Sequence, residues 1–515
     1  MRTRPAPTAN SHAMAARLAD LATEVLAFPV EETTDLPAAG LDLPVAARLA
    51  ARAHEDLGLP LTVSDLYLGR SPRAIVAGTR SDTLPADPCP TAGPALVSGF
   101  RRIWRDEAAH PGHPAAVVSL AYLGTGDRGV DPERLAGAVH AVVERQEALR
   151  TVFVDADGPP TAVPLPYDGR PPVTTVALPD AGWEALRQAL DLASAGALEG
   201  FDTTRGPLLR CVLYTWSGGR LLVVHLHRSA LDPWSLDTFE RELEVMYATA
   251  GRPAGAAARH AATSRWRPAG FDPDDCAERW RQRLDGARAL RWPAAAGEPW
   301  DDRGAVEHHV ELDAALLVSL DARTRAEGVS LTTLVCTAGA MALAEVTGAR
   351  DICLGLSVPG RVEAWQDAAL GHHVATVPVR VRVEPGQRPA ELVHRVDGEV
   401  LFAVDHRWTD TIEFRGRGTE DRTRLLGQVT VCVHPQHPAG TLRLGEAVLA
   451  PARLPRAEAP AELAVELLRS TRPDGRRNLL LTSAPSRLGA AALARLATSL
   501  HAALTALAHG GPIEG

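Results

Sequence analysis

The spacing of apolar residues along the chain changes character near residue 95. Before that point the pattern is helical and the elements are short. Leu18, Leu21, Val25 and Leu26 recur at helical spacing and predict a helix from Ala16. A second helix is expected from about Pro44 to Leu57, with Val45, Leu49 and Ala53 on one face. Val63–Leu68 and Ile75–Val76 mark a third and a fourth segment, so residues 16–78 read as a small helical bundle. Residues 1–15 are polar and Pro-rich and are expected to be disordered. Residues 79–94 are rich in Pro, Thr, Asp and Ser, the composition of a linker.

From about Ala95 strands alternate with helices. Val117–Leu123, Cys211–Trp216, Leu221–Val224, His308–Leu312, Ile352–Ser357 and Asn478–Thr482 read as strands. Asp131 caps a helix running to about Gln146, with Leu135, Val139, Val142 and Val143 as its apolar face. Ser330–Thr347 and Ala490–Leu507 read as long apolar helices. Residues 236–265 are expected to form one helix and then an Ala/Gly/Arg-rich connector. The whole is an α+β or α/β chain: a helical bundle (16–78), a linker (79–94), and two mixed lobes at 95–265 and 266–515.

Composition narrows the function. The 515 residues suggest about three domains or lobes, and 45% hydrophobic residues suffice for a sizeable core. A net charge of −9 argues against a nucleic-acid binder, because no basic surplus exists to neutralise phosphates. All 54 basic residues are arginine. The cysteines Cys89, Cys211, Cys276, Cys336, Cys353 and Cys432 are scattered, without a Cys-x-x-Cys pair, which disfavours a disulfide framework or zinc knuckle. No apolar run reaches the roughly 18 residues of a membrane span. Met1–Met14 lacks the apolar centre of a signal peptide, so a cytoplasmic protein is expected.

The candidate chemistry sits at Arg220–Ser235. The apolar run Leu221–Val224 leads into His225, His227 and Arg228, and Asp232-Pro-Trp-Ser opens the next helix. A histidine at a strand end beside a cleft takes a proton at neutral pH. An arginine stays charged and has no lone pair to accept one. Asp232 is expected to make a structural ion pair, with Arg150 and Arg380 as candidate partners. His372-His373 reads as loop surface, and no Asp, Glu or Cys lies at ligand spacing to make it a zinc site.

This stretch resembles the His-His-x-x-x-Asp-Gly motif of nonribosomal peptide synthetase condensation domains. Aligned on Asp232, the first histidine is His227, the catalytic second histidine is Arg228, and the glycine is Pro233. The stretch Glu144–Phe153 resembles the family's Arg-His-Glu-x-Leu-Arg-Thr-x-Phe motif, with Gln146 in place of histidine. Val97–Trp104 resembles its opening motif through Arg102, Ile103 and Trp104. Pro359–Val383 matches a further segment through Gly360, Arg361, Gly371 and Arg380, and Phe402–Phe414 matches another at His406. Residues 16–78 resemble a peptidyl carrier domain, with Leu43 where the family's serine takes phosphopantetheine. The resemblance implies a small helical carrier-like domain followed by a two-lobed, V-shaped, chloramphenicol acetyltransferase-like fold.

The resemblance also implies a chemistry. In intact condensation domains two carrier-tethered substrates meet in a tunnel, and the second histidine positions or deprotonates the attacking amine. A permanent cation at Arg228 repels an ammonium nucleophile and cannot take its proton. Pro233 removes a backbone N–H near the oxyanion. Leu43 has no hydroxyl to form a phosphodiester, so no cofactor is expected to be covalently bound; phosphopantetheine would enter only as the arm of a partner carrier. The leading expectation is a non-catalytic component that docks carriers or other synthetase or tailoring proteins. His-Arg-x-x-x-Asp also occurs in the family's recruiting domains, which bind oxygenases to carrier-bound peptides. The alternative is an acyltransferase using His227, or His225, as base, with Arg228 holding a substrate carboxylate. A third possibility is a small-molecule binder using the tunnel alone.

Overall fold

The computed structural model describes residues 9–78, 103–104, 107–126, 129–154, 161–167, 169, 172–251, 272–292, 304–361, 366, 368–408, 427–434, 441–456, 458–468 and 476–510. The expected linker with Cys89, most of the Val97–Trp104 motif, most of the connector before residue 266 and the end of the Phe402–Phe414 motif lie outside them.

Four helices form the first unit: α1 (Ala9–Leu26), α2 (Leu43–Leu57), α3 (Val63–Gly69) and α4 (Pro72–Gly78). Helix α1 begins at Ala9, inside the segment expected to be disordered. Its high alanine content sustains helix beyond the first apolar position. Asp42 caps α2 by accepting from Val45 N at 2.8 Å, with Pro44 in the first turn and Gly58 closing the helix in the left-handed region (φ 68°). Thr62 and Asp65 form a reciprocal capping box on α3.

The rest of the described chain runs β1 (Val117–Thr125), α5 (Pro132–Arg145), β2 (Thr151–Val154), β3 (Thr161–Pro164), β4 (Val173–Ala181), α6 (Gly182–Ala197), β5 (Leu209–Ser217), β6 (Gly219–His227), α7 (Leu236–Ala248) and α8 (Pro273–Arg283). It continues with β7 (Val306–Leu312), α9 (Ala314–Glu327), α10 (Leu331–Thr347), β8 (Asp351–Pro359), β9 (Val374–Arg382) and α11 (Pro389–Asp405). It ends with β10 (Val429–Val433), β11 (Leu442–Leu444), β12 (Ala447–Ala452), β13 (Leu463–Leu467), β14 (Arg477–Ser483) and α12 (Ala490–His509).

Two six-stranded sheets organise these elements, in the orders β11-β12-β1-β6-β5-β4 and β7-β14-β13-β10-β8-β9. Strand β6 is central in the first sheet and buried at all nine positions, as its apolar run requires. Helix α6 covers one face with the small stripe Ala185, Ala189 and Ala193, packed on Leu221 and Val223. Helices α5 and α7 cover the other, around Leu135, Val139, Phe239 and Leu243. Asp131 caps α5 by accepting from Glu133 N at 2.9 Å and Arg134 N at 3.1 Å. Asp131→Ala should lower stability by about 1 kcal/mol in urea unfolding; an unchanged midpoint would refute that capping role.

The lobes do not divide at residue 265. The β11–β12 hairpin, from the second half of the chain, pairs with β1 in the first sheet, matching Ala121 with Ala452 and Leu123 with Ala450. The hairpin covers an edge that β1 would otherwise expose. Just past β12, Arg453 pairs with Glu307 at 3.0 Å and Arg456 with Glu466 at 2.6 Å, tying the hairpin's end to the second sheet. Burial disfavours the Glu466 charge, but Arg456 and His434 outweigh it and hold the carboxyl at about 2.

In the second lobe α10 is buried continuously from Thr333 to Ala344. Helix α12 is long and apolar enough, by length and composition, to cross a membrane. It lies against α10 and β7, with Leu493, Leu496, Leu500, Leu504 and Leu507 buried. Its amphipathic pattern is that of a core-packing helix.

Candidate active-site motif and its covering loop

Strand β6 delivers His225 and His227 to one face of the first sheet, two residues apart. The chain then leaves the sheet in a tight turn. Arg228 N donates to Ala116 O at 2.7 Å and Ala230 N to His227 O at 2.9 Å.

His227 is fully buried, with Phe153 and Phe201 edge-on at ring-centroid distances of 6.2 Å. Its Nδ1 lies 2.7 Å from Ser229 Oγ and accepts from Ser229 N at 3.3 Å. Nδ1 is therefore the acceptor, so Nε2 carries the proton of the neutral ring and faces Glu107 Oε2 at 3.3 Å. Burial pushes the His227 pKa below the usual imidazole value; Glu107 pulls the other way and Arg228 adds to the depression.

His225 hydrogen-bonds Ser119 Oγ through Nδ1 at 2.8 Å, and its Nε2 finds no hydrogen-bond partner among the described residues. Helix α6 seals it: a Cβ on Gly196 would lie 3.0 Å from that Nε2. Burial and then the nearby Arg210 lower its pKa to about 4.

Arg228 is half-buried. Its fixed charge occupies the place where the family resemblance puts the base. Among the described residues no group of three or more His, Cys, Asp or Glu is arranged to hold a metal ion.

Asp232 is 4% exposed, and its ion-pair partner is Arg361, at 3.2 Å. This corrects the expectation of Arg150 or Arg380. Arg150 instead donates to Leu165 O at 2.6 Å and Glu144 O at 3.3 Å. Arg380 forks onto Asp351 at 2.8 and 2.6 Å. Asp232 Oδ1 also accepts from Ser235 N at 2.8 Å, and Oδ2 from His373 N at 2.9 Å. Burial alone would raise the Asp232 pKa; Arg361, aided by His373 and His372, brings it below the usual carboxylate value.

His373 is not loop surface, and His372 is only half-buried. His373 is buried, and its N–H is held by Asp232, while His372 N donates to Ser229 O at 3.1 Å. Two residues contribute to this clamp beyond the roles expected of them. Gln146, where the family resemblance expects histidine, donates from Nε2 to Ala368 O at 3.1 Å and accepts from Leu370 N at 2.9 Å. Arg361 holds Ala369 O at 2.9 Å and Ser235 Oγ at 2.6 Å. A loop from the second half is thereby fastened over the turn of the first lobe. Glu107, behind His227, was signalled by no sequence pattern.

Comparisons with known proteins agree with this architecture. A family model described as "Condensation domain" matches residues 101–431, and one described as "Phosphopantetheine attachment site" matches residues 16–78. Curated relatives include phosphinothricin tripeptide synthetase PhsC of Streptomyces viridochromogenes, 30% identical over 351 residues. That alignment covers 64% of this chain and 31% of the relative, so the chain spans less than a third of that protein. The first condensation domain of the calcium-dependent antibiotic synthetase superposes with a TM-score of 0.66 at 19% identity, over 81% of this chain and 96% of that one. The X-domain from teicoplanin biosynthesis superposes at 0.65 and 22% identity, over 81% and 96%. These two likenesses show the chloramphenicol acetyltransferase-like fold.

Leu43, which the carrier resemblance puts at the serine position, has no hydroxyl and is 3% exposed. These residues do not fit covalent attachment of the arm. With the condensation-domain match at residues 101–431 spanning both lobes and a carrier-type match before it, the chain belongs to the condensation-domain family of nonribosomal peptide synthetase components.

Proposed function

We propose that the chain is a non-catalytic condensation-type component of a nonribosomal peptide pathway. It docks carriers or tailoring proteins of that pathway in the cytoplasm. The observation that carries this reading is Arg228 at the catalytic-histidine position. A guanidinium cannot deprotonate an amine and repels its ammonium form. The neighbouring His227 offers no ready substitute. It is fully buried, its Nδ1 is engaged by Ser229 and its Nε2 faces Glu107. The likeness of the His-Arg-x-x-x-Asp stretch to recruiting domains supports the same role, and the teicoplanin X-domain shares the fold.

A second reading is an acyltransferase forming an amide or ester from a carrier-tethered thioester, with His227 as base. The line Ser229–His227–Glu107 favours it, because a hydroxyl, a neutral imidazole and a carboxylate in sequence can relay a proton. The test is titration against phosphopantetheinylated carriers bearing tethered acyl groups, read by mass spectrometry of the arms. Binding without transfer, the same in a folded His227→Ala variant, is the expected result. Transfer that disappears in His227→Ala would establish the acyltransferase.

A further inference from the structure

We infer that residues 16–78 are a fixed brace of the second lobe, with the face that would carry a phosphopantetheine arm turned into their shared core. The inference rests on the carrier-type match and on the packing. It does not rest on the reading of Arg228.

The apolar interior supplies the first observation. Leu43, Leu49 and Leu66 belong to one continuous buried cluster with Leu354 of β8, Leu392 of α11 and Leu334 of α10. A carrier tethered only by a linker would keep a separate core. Leu43 is the first residue of α2 and is 3% exposed. Tyr67 OH donates to Leu41 O at 2.6 Å, holding the segment that leads into α2.

A polar seam supplies the second. Asp405, the last residue of α11, accepts from Val63 N at 2.9 Å and Ser64 N at 3.3 Å, and also bonds the Ser64 hydroxyl. A carboxylate from one unit thus caps the first turn of a helix in the other, satisfying amide groups that would otherwise lack partners. Ser64 is thereby accounted for as part of the seam. Burial raises the Asp405 pKa, opposed first by Ser64 and then by Arg407.

A side chain packed against a helix end supplies the third. Arg70, paired with Asp35 at 2.6 Å, lies so near the end of α9 that a Cβ on Gly328 would collide with its guanidinium. Gly328 also closes α9 at φ 70°, a conformation that favours glycine.

A working carrier needs a hydroxyl in solvent and freedom to travel between partner sites. Here the position lacks the hydroxyl and faces the interior. Any acyl group delivered to the condensation-type lobes must therefore arrive on a carrier other than residues 16–78. This segment serves as a fixed surface of the second lobe.

The test uses the full chain with Cys89→Ser and compares alkylation by iodoacetamide of Leu43→Cys and Leu68→Cys variants, read by peptide mass mapping. Leu68 lies on α3 and is 75% exposed, so it serves as the accessible control in the same unit. Leu43→Cys should react about 100-fold or more slowly than Leu68→Cys, as expected where labelling needs an opening of the packed structure. Adding Asp405→Ala should speed labelling at position 43 about tenfold and leave position 68 unchanged. Comparable rates at the two positions overturn the inference. So does a position-43 rate that ignores Asp405→Ala. If Asp405→Ala does not fold, Arg70→Ala takes its place, and calorimetry of the native chain decides alongside it. One transition for brace and second lobe is expected; a separate early transition of residues 16–78 overturns the brace. Labelling reads position 43 alone, so the result stands whether or not the chain transfers acyl groups.

Discussion

Asp232→Ala should lower the unfolding free energy by about 3–5 kcal/mol, because it strands the buried Arg361. Asp232 and Arg361 are 4% and 7% exposed, and Asp232 also accepts the N–H groups of Ser235 and His373. Removing the carboxylate leaves the buried Arg361 guanidinium without its counter-charge and the His373 N–H without its acceptor, while Ser235 N keeps the Asp232 backbone oxygen at 2.9 Å. Arg361→Ala should cost a comparable amount, and the double variant should cost clearly less than the two single losses added together. Arg150→Ala and Arg380→Ala should each combine additively with Asp232→Ala, since neither touches it. Urea unfolding checks all of these. An unchanged midpoint in Asp232→Ala would mean that the clamp carries no net stability. The Asp232 carboxyl sits below its ordinary value near 3.8. Its stabilisation is therefore present above that value and is lost as pH falls through the lower folded-state pKa.

The second large effect is a loss of stability on mild acidification. The His225 pKa is lowered to about 4 from an ordinary value of 6.5. In this window the unfolded chain binds a proton that the folded chain refuses, so stability rises with pH and falls on acidification. The loss from this one ring should reach about 3 kcal/mol by pH 4, at roughly 1.4 kcal/mol for each pKa unit. His227 is also depressed and acts in the same direction. His225→Asn, keeping a polar partner for Ser119, should remove the His225 share and flatten the profile between pH 6.5 and 4. The measurement is urea unfolding of both proteins across that range. Parallel profiles would show that His225 titrates alike in the folded and unfolded chains.

Much of the fold could be read from local pattern because local pattern reflects what each segment must bury. The run Leu221–Val224 had to lie inside a sheet, and β6 is buried along its length. Asp131 before Pro132 had to open a helix, and it caps α5 through two amides. The limits were equally local. Helix α1 reaches back to Ala9 because alanine extends helix without needing an apolar stripe. The division at residue 265 failed for strands because pairing is a tertiary choice: the hairpin at Leu442–Ala452 could have joined either sheet and completes the first.

The candidate site follows the same rule. That Arg228 cannot be a base and that Leu43 cannot be esterified were settled by residue chemistry, which no fold can alter. Spacing also placed His225 and His227 on one strand face. Whom each residue meets was decided elsewhere. Arg361 lies 129 residues from Asp232, and neighbouring arginines of equal charge were indistinguishable until the loop at 366–373 was seen clamped over the turn. His372 and His373 looked like surface because their polarity says nothing about a backbone that closes onto a buried carboxylate. The amino-acid sequence alone determined the lobed α/β architecture, the family resemblance and the missing functional groups, since these depend on side-chain identity and short-range period. Only the tertiary structure decided that His227 is sealed between two phenylalanines, that Arg361 holds Asp232, and that Leu43 lies in a core shared with the second lobe. Burial and long-range pairing depend on how distant segments pack, and packing is a property of the whole chain.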